Sequence, residues 1–263
     1  MLQTAIVRKQ LFDIRTVVWR DFQVFRRHLN RYMFSRMMAP LLYFLSFGWG
    51  LGVIASQGKP GYYEFLALGI VVLNTMNISF NSCGFSLHLE RLYHKTLDEY
   101  LIAPMAAGSF VAGKVISGTL QGLLSAAVIC LLAYMFGIRF VMNGWFLLTL
   151  ALNCMIFAAT GFMAAMLIDD FEDIGNVNTF VLLPMSFFCG TFFSIDILPA
   201  TGRAMLECLP LTHAGYALRA IGAGQPAPMA DLAVLFAYVV VLSAGAVWSM
   251  RRVRLNSQGR YGH

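Results

Sequence analysis

The sequence predicts an all-α polytopic membrane protein, on three observations. Hydrophobic residues make up 59% of its 263 residues and charged residues only 12%, against about 25% charged in an ordinary soluble domain. Apolar runs recur at the length of about 20 residues that a helix needs to cross the hydrocarbon of a bilayer. The runs are continuous, whereas a membrane β-barrel strand reads as a short alternating segment.

Taken in order, the chain divides into an N-terminal arm (1–34), a membrane domain (35–250) and a basic tail (251–263). In the arm, Leu11, Ile14, Val18, Phe22, Phe25 and Leu29 recur at helical spacing, with Arg15, Arg20, Arg26, Arg27 and Arg31 on the other side. Such a helix lies in the headgroup layer, apolar face down and arginines towards lipid phosphates. No signal-type apolar core precedes it, so no cleavable leader is expected. Six spans follow, near 35–56, 62–87, 105–136, 143–168, 174–195 and 229–250.

Lysine and arginine orient the spans. Eight fall in the first 36 residues, Arg91 and Lys95 follow the second span, and Arg251, Arg252, Arg254 and Arg260 lie in the tail. The loops of the opposite side hold Lys59, Arg139, Arg203 and Arg219. Both termini are therefore expected in the cytoplasm. The acidic run DDFED at 169–173 falls on the same inner side. The segment at 195–228, rich in Pro and Gly, is too broken to cross and too apolar to float in water. It reads as a re-entrant helical hairpin in the outer leaflet, where irregular backbone survives only when covered by protein or lining a wet cavity.

The stretch LERLYHKTLDEYLIAP, 89–104, is an amphipathic helix in the first inner loop. Leu89, Leu92, Tyr93, Thr96, Leu97, Tyr100 and Leu101 share one face by the i, i+3, i+4 rule, and Pro104 ends it. Such a helix fits a groove of a soluble partner or a lipid surface; periodicity does not separate the two.

ERLYHKTLDEYLIAP resembles the signature between the second and third spans of ABC-2-type transporter permeases: an acidic–basic start, Thr-Leu, an apolar pair and Pro. TFVLLPMSFFCGTFFSIDILPATGRAMLECLPLTHAGYALRAI, residues 179–221, is similar to their fifth span and the outer hairpin with its LP and PLTH elements. The likeness runs in matching order over nearly the whole chain. It is nearest to the subgroup of nodulation lipo-oligosaccharide and antibiotic-resistance exporters. The resemblance implies that 89–104 is the coupling helix, seated in a cleft of a cytoplasmic ABC ATPase, with Glu90, Arg91, Tyr93, Thr96, Leu97, Tyr100 and Leu101 as its contact residues. It also implies that the arm is the connecting helix, and that two permease copies pair, as a homodimer in a 2+2 complex or with a close homologue.

No engine is visible in the chain. GSFVAGKV, 108–115, fits seven places of the phosphate-loop pattern. It has Val115 where a magnesium-binding hydroxyl belongs, and it opens an apolar span. Lys114 is expected to snorkel to the inner headgroups. The five histidines are scattered, and the five cysteines have no metal-like spacing and read as packing residues. The chain is therefore expected to be non-catalytic, with no catalytic or metal residues and no cofactor of its own. ATP and magnesium belong to the partner ATPase. The basic residues flank spans, so their partner is lipid, and no nucleic acid is expected.

Asn74, Asn77 and Asn81 form a polar stripe in the second span, which must face protein or water. Two uses fit: interhelical hydrogen bonding, or the lining of a substrate path or subunit interface. No carboxylate sits centrally in a span, as proton-coupled carriers need. The reading is a permease subunit of an ATP-driven exporter in the bacterial inner membrane, moving an amphipathic or lipid-linked substrate outward. The alternatives are an ATP-independent secondary transporter and a membrane-embedded lipid-modifying enzyme.

Overall fold

The computed structural model describes residues 2–27, 38–43, 45–46, 61–92, 105–192 and 199–260. Every regular element among them is helical. The main helices are α1 (Leu2–Arg27), α2 (Tyr62–Leu92), α3 (Ala107–Met135), α4 (Gly144–Leu167), α5 (Phe171–Val177), α6 (Leu183–Phe188), α7 (Ala200–Glu207), α8 (Pro210–Gly222) and α9 (Met229–Arg260). A short helical stretch at 38–43 is all that is described of the first predicted span before 45–46. Among the described residues four helices are long and apolar enough to cross a membrane: α2, α3, α4, and α9 over Met229–Leu255.

α2 is the centre of the bundle. Its residues from Leu66 to Met76 are buried without interruption, so it has no apolar stripe but is apolar all round, as a helix enclosed by others should be. α3 and α4 pack along it, α9 packs on α4, α1 on α3, and α8 wedges among α2, α4 and α9. Small residues set these crossings. A Cβ on Gly161 of α4 would lie 2.5 Å from the backbone oxygen of Phe80 on α2, and one on Gly122 of α3 would lie 2.2 Å from Ser79 Oγ. Gly118 and Gly122 thus serve packing within the chain, the commoner use of spaced small residues.

Two boundaries differ from the sequence reading. α2 runs on through Leu92, so Leu89–Leu92 continues the span instead of opening a separate helix. The fifth predicted span, 174–195, begins earlier and is broken. α5 passes through a π-helical turn, Asn178–Leu182, into α6. Pro184 sits at the start of α6; it has no N–H for the carbonyl one turn back, and the widened turn absorbs that loss. Part of the acidic run is helical too. Glu172 and Asp173 occupy the first turn of α5, where negative charge suits the helix dipole.

At the far end of the bundle α7 and α8 form a helical hairpin. Leu211, Ala214, Leu218 and Ile221 of α8 join the core. Polar clamps hold it. His213 sits between Asp231 Oδ1 of α9 at 2.6 Å and the Glu207 carbonyl at 2.8 Å. The Arg219 guanidinium donates to the carbonyls of Gly190, Thr191 and Phe65 and lies 3.7 Å over the Phe65 ring.

α1 packs through Val17 and Phe25, both buried, and leaves Leu11, Phe12, Trp19 and Phe22 exposed. The stripe that meets α3 is centred on Val17, a residue outside the apolar face expected to lie on lipid; of that face Leu11 and Phe22 are exposed and Phe25 is buried. Gly113 makes that approach possible: a Cβ there would lie 2.8 Å from Val17 Cβ.

Candidate functional site

The end of the bundle next to the 93–104 segment carries a cluster of charges drawn from three helices. Lys114, in the second turn of α3, has only 4% of its side chain exposed. Its ammonium donates to Asp21 Oδ1 of α1 at 3.0 Å and to both oxygens of Glu90 on α2 at 3.1 and 3.0 Å. Arg20 of α1 reaches the same Glu90 at 2.7 Å. Two cations meet two carboxylates, and the set is neutral. An isolated buried ammonium would be costly; one with its N–H groups aimed at carboxylates is tolerated.

Two sequence expectations meet this geometry. Lys114 does not snorkel: α1 covers it and two carboxylates hold it in the interior. The stretch GSFVAGKV lies in regular α3, where Gly113 and Lys114 dock α1, so its likeness to a phosphate loop is a coincidence of composition.

Arg91, the next residue on α2, points elsewhere. Its Nη1 donates to the carbonyls of Ala165, Met166 and Ile168 at 3.0–3.1 Å, and its Nη2 pairs with Asp169 at 2.6 Å. Those carbonyls are the open end of α4, and a cation there satisfies both hydrogen bonding and the dipole. At the same end Arg254 of α9 donates to the carbonyl of Met105. Glu90 and Arg91 thus bind the last turn of α2 to α1 and α3 on one side and to α4 on the other. Tyr93, Thr96, Leu97, Tyr100 and Leu101 lie outside the described residues.

The asparagine stripe is divided. Asn74 Nδ2 donates to Ser125 Oγ of α3 at 2.6 Å. Asn77 donates back to the Leu73 carbonyl of its own helix, and Asn77 and Asn81 are half-buried. A residue absent from the stripe completes the polar seam. Asn153 of α4, fully buried, donates to Thr75 Oγ1 at 3.0 Å and to the Val72 carbonyl at 3.3 Å. The sequence marks Lys114 only as a snorkelling residue and Arg20 only as part of the arm's polar side; Asp21 and Asn153 carry no mark in it. The local signal for the cluster is a lysine, rare in a span, about two turns inside α3.

The sequence profile of the ABC-2 type transporter matches residues 13–222. The chain belongs to the ABC-2 type transporter family. Among its relatives, the inner membrane transport permease YadH of Escherichia coli K12 is 24% identical over 204 residues, 76% of this chain and 79% of that protein. Nodulation protein J of Rhizobium leguminosarum bv. trifolii is 25% identical over 212 residues, covering 80% and 81%. Nodulation protein J of Bradyrhizobium diazoefficiens is 23% identical over 246 residues, covering 90% and 92%. These names agree with the subgroup read from 89–104 and 179–221. In this ABC-2 permease the matched region opens in α1 and closes at the last residue of α8, so it takes in the ion cluster whole. The chain is a transport permease of the membrane, and its regular elements among the described residues are helical.

Proposed function

We propose that this permease is the membrane subunit of an ATP-driven exporter in the bacterial inner membrane. A separate cytoplasmic ABC ATPase binds ATP and magnesium and supplies the work. Two permease copies and two ATPases form the complex, and the cargo is amphipathic or lipid-linked: a lipo-oligosaccharide, a glycan or a hydrophobic drug. The reading includes six spans, with 35–56 and 174–195 completing the four long helices, both termini in the cytoplasm, and the hairpin at 195–228 dipping into the outer leaflet. YadH's name as an inner membrane transport permease supports the location, and the distribution of Lys and Arg supports the orientation.

One observation carries the coupling reading. The root of the 93–104 segment is fastened by Glu90 and Arg91 to three other helices. A lever so anchored passes a push at its tip into the spans, whereas one on a slack loop would not. In this division of labour Tyr93, Thr96, Leu97, Tyr100 and Leu101 meet the ATPase, and Glu90 and Arg91 transmit. Asn77 and Asn81 are the stripe residues left to face a path or a second copy.

The test is purification in mild detergent followed by reconstitution. A soluble ATPase is expected to accompany the permease in equal number. Tyr100→Ala is expected to weaken that association, and Glu90→Ala to leave it intact while lowering export per ATP hydrolysed. Uphill transport by the isolated permease, driven by an ion gradient, would overturn the reading.

A further inference from the structure

Where α3 and α4 part, far from the ion cluster, they leave a groove of about 650 Å³. Its floor is Ala126, Cys130, Phe146 and Leu150, all buried, and Leu131 and Leu147 rise on its two sides, largely exposed. The groove exists because α3 presents small residues, Ala126, Ala127 and Cys130, where it turns towards α4. From Leu123 to Tyr134 it follows α3 for about 16 Å at 1.5 Å per residue, the reach of a long acyl chain.

The walls belong to two candidate membrane spans, so the groove opens to hydrocarbon. Water has no polar partners along such a floor, and an empty groove forfeits dispersion contacts on every wall. One end is different. Tyr134 and Asn143 line it, and the Arg139 guanidinium lies 5.7 Å from the Tyr134 ring centroid. Asn143 uses its side-chain oxygen to cap α4 through Phe146 N, so what it offers a ligand is an N–H donor. Arg139 also borders a neighbouring cavity with Glu64 and Arg219, yet among the described residues no ion pair engages it. An apolar trench of acyl length thus ends at Tyr134 and Asn143, with the Arg139 cation beside Tyr134.

We propose that the α3–α4 groove holds one acyl chain of an anionic phospholipid, with its phosphate against Arg139 at the Tyr134 end. The chain fills the groove whatever the headgroup, and Arg139 selects the charge. One cation at a membrane surface favours an anionic lipid about fivefold. The site stands apart from the proposed transport cycle; only the leaflet assigned to it, the outer one, rests on the orientation given above.

The experiment uses the full chain in phosphatidylcholine vesicles doped with phosphatidylglycerol that carries a photoreactive diazirine at the end of one acyl chain. A phosphatidylcholine probe of the same chain serves in parallel. After irradiation, the peptides around Leu123 and Leu150 are expected to carry about fivefold more of the glycerol probe than of the choline probe. Arg139→Gln equalises the two probes while labelling persists. Ala127→Phe, whose side chain starts from an exposed position and enters the groove, removes labelling by both without lowering the melting temperature. Equal labelling of the unmodified protein by the two probes, or labelling that Ala127→Phe leaves unchanged, would overturn the proposal. So would absence of labelling together with cross-linking between two copies through a cysteine placed at Leu131, which would mean that a second copy covers the groove. A wrong orientation would leave these ratios intact and change only the leaflet from which the probe enters.

Discussion

Lys114 decides how α1 is held. Replacing it with methionine keeps the stem's bulk and removes the ammonium, leaving Asp21 and Glu90 close together with Arg20 as their counter-charge among the described residues. Truncating one member of a buried ionic set strands the others, at a cost of about 3 kcal/mol. Both carboxylates keep a little solvent, 12% and 17% of their side chains, which limits the penalty to the low end of that range. Lys114→Met is therefore expected to lower the unfolding temperature in detergent by several degrees. In the double variant with Glu90→Gln the effects should not add: with one charge of each sign gone, Arg20 and Asp21 still balance. A double-mutant cycle read by thermal unfolding should show a coupling of about 1 kcal/mol or more; strict additivity would mean that the two residues act independently. None of this was visible along the sequence. Lys114 announced itself as a charge inside a span, but its partners lie 24 and 93 residues away, and no periodicity connects positions so far apart.

At the scale of elements, legibility follows the physics of each helix. α2, α3, α4 and α9 begin within a few residues of their expected starts, because hydrocarbon thickness imposes a length that composition reveals. The register of α1 was harder. Its apolar residues serve two surfaces, the bundle through Val17 and Phe25 and the exposed side through Leu11, Phe12, Trp19 and Phe22, and a single periodicity cannot say which belongs to which. The π turn at Asn178–Leu182 has no compositional mark beyond Pro184. Helix contacts give a sharper test, because the same substitution should act in opposite directions at two glycines. Gly161 faces the Phe80 backbone oxygen, which cannot step aside, whereas around Gly175 in α5 there is open space. Gly161→Ala should force α2 and α4 apart and destabilise by about 1–3 kcal/mol. Gly175→Ala should stabilise by up to about 1 kcal/mol through helix propensity alone. Melting temperatures of the purified variants, one falling and one rising, check both; a rise for Gly161→Ala would contradict the packing described for that crossing.

Across the whole molecule the two ends of the bundle are chemically unlike. One end gathers Arg20, Arg91, Lys114 and the arginines that close α9. The other carries Arg139, Arg203 and Arg219, with His213 clamped to Asp231. The proposed orientation puts the first end in the cytoplasm, and a native thiol can test it. Cys83, Cys130, Cys154 and Cys189 are buried, and Cys208, at the bend between α7 and α8, is exposed. Its sulfur lies 3.4 Å from the Ala204 carbonyl, a contact too weak to protect it from a reagent. With the termini in the cytoplasm, Cys208 faces outward. A maleimide that cannot cross membranes should then label the protein in intact spheroplasts, with Cys208→Ser abolishing the signal. Inside-out vesicles should stay unlabelled until detergent is added. The reverse pattern would place the ion cluster and the root of the 93–104 segment outside the cell, beyond the reach of any cytoplasmic ATPase. The orientation and the coupling proposal therefore stand or fall on one labelling experiment.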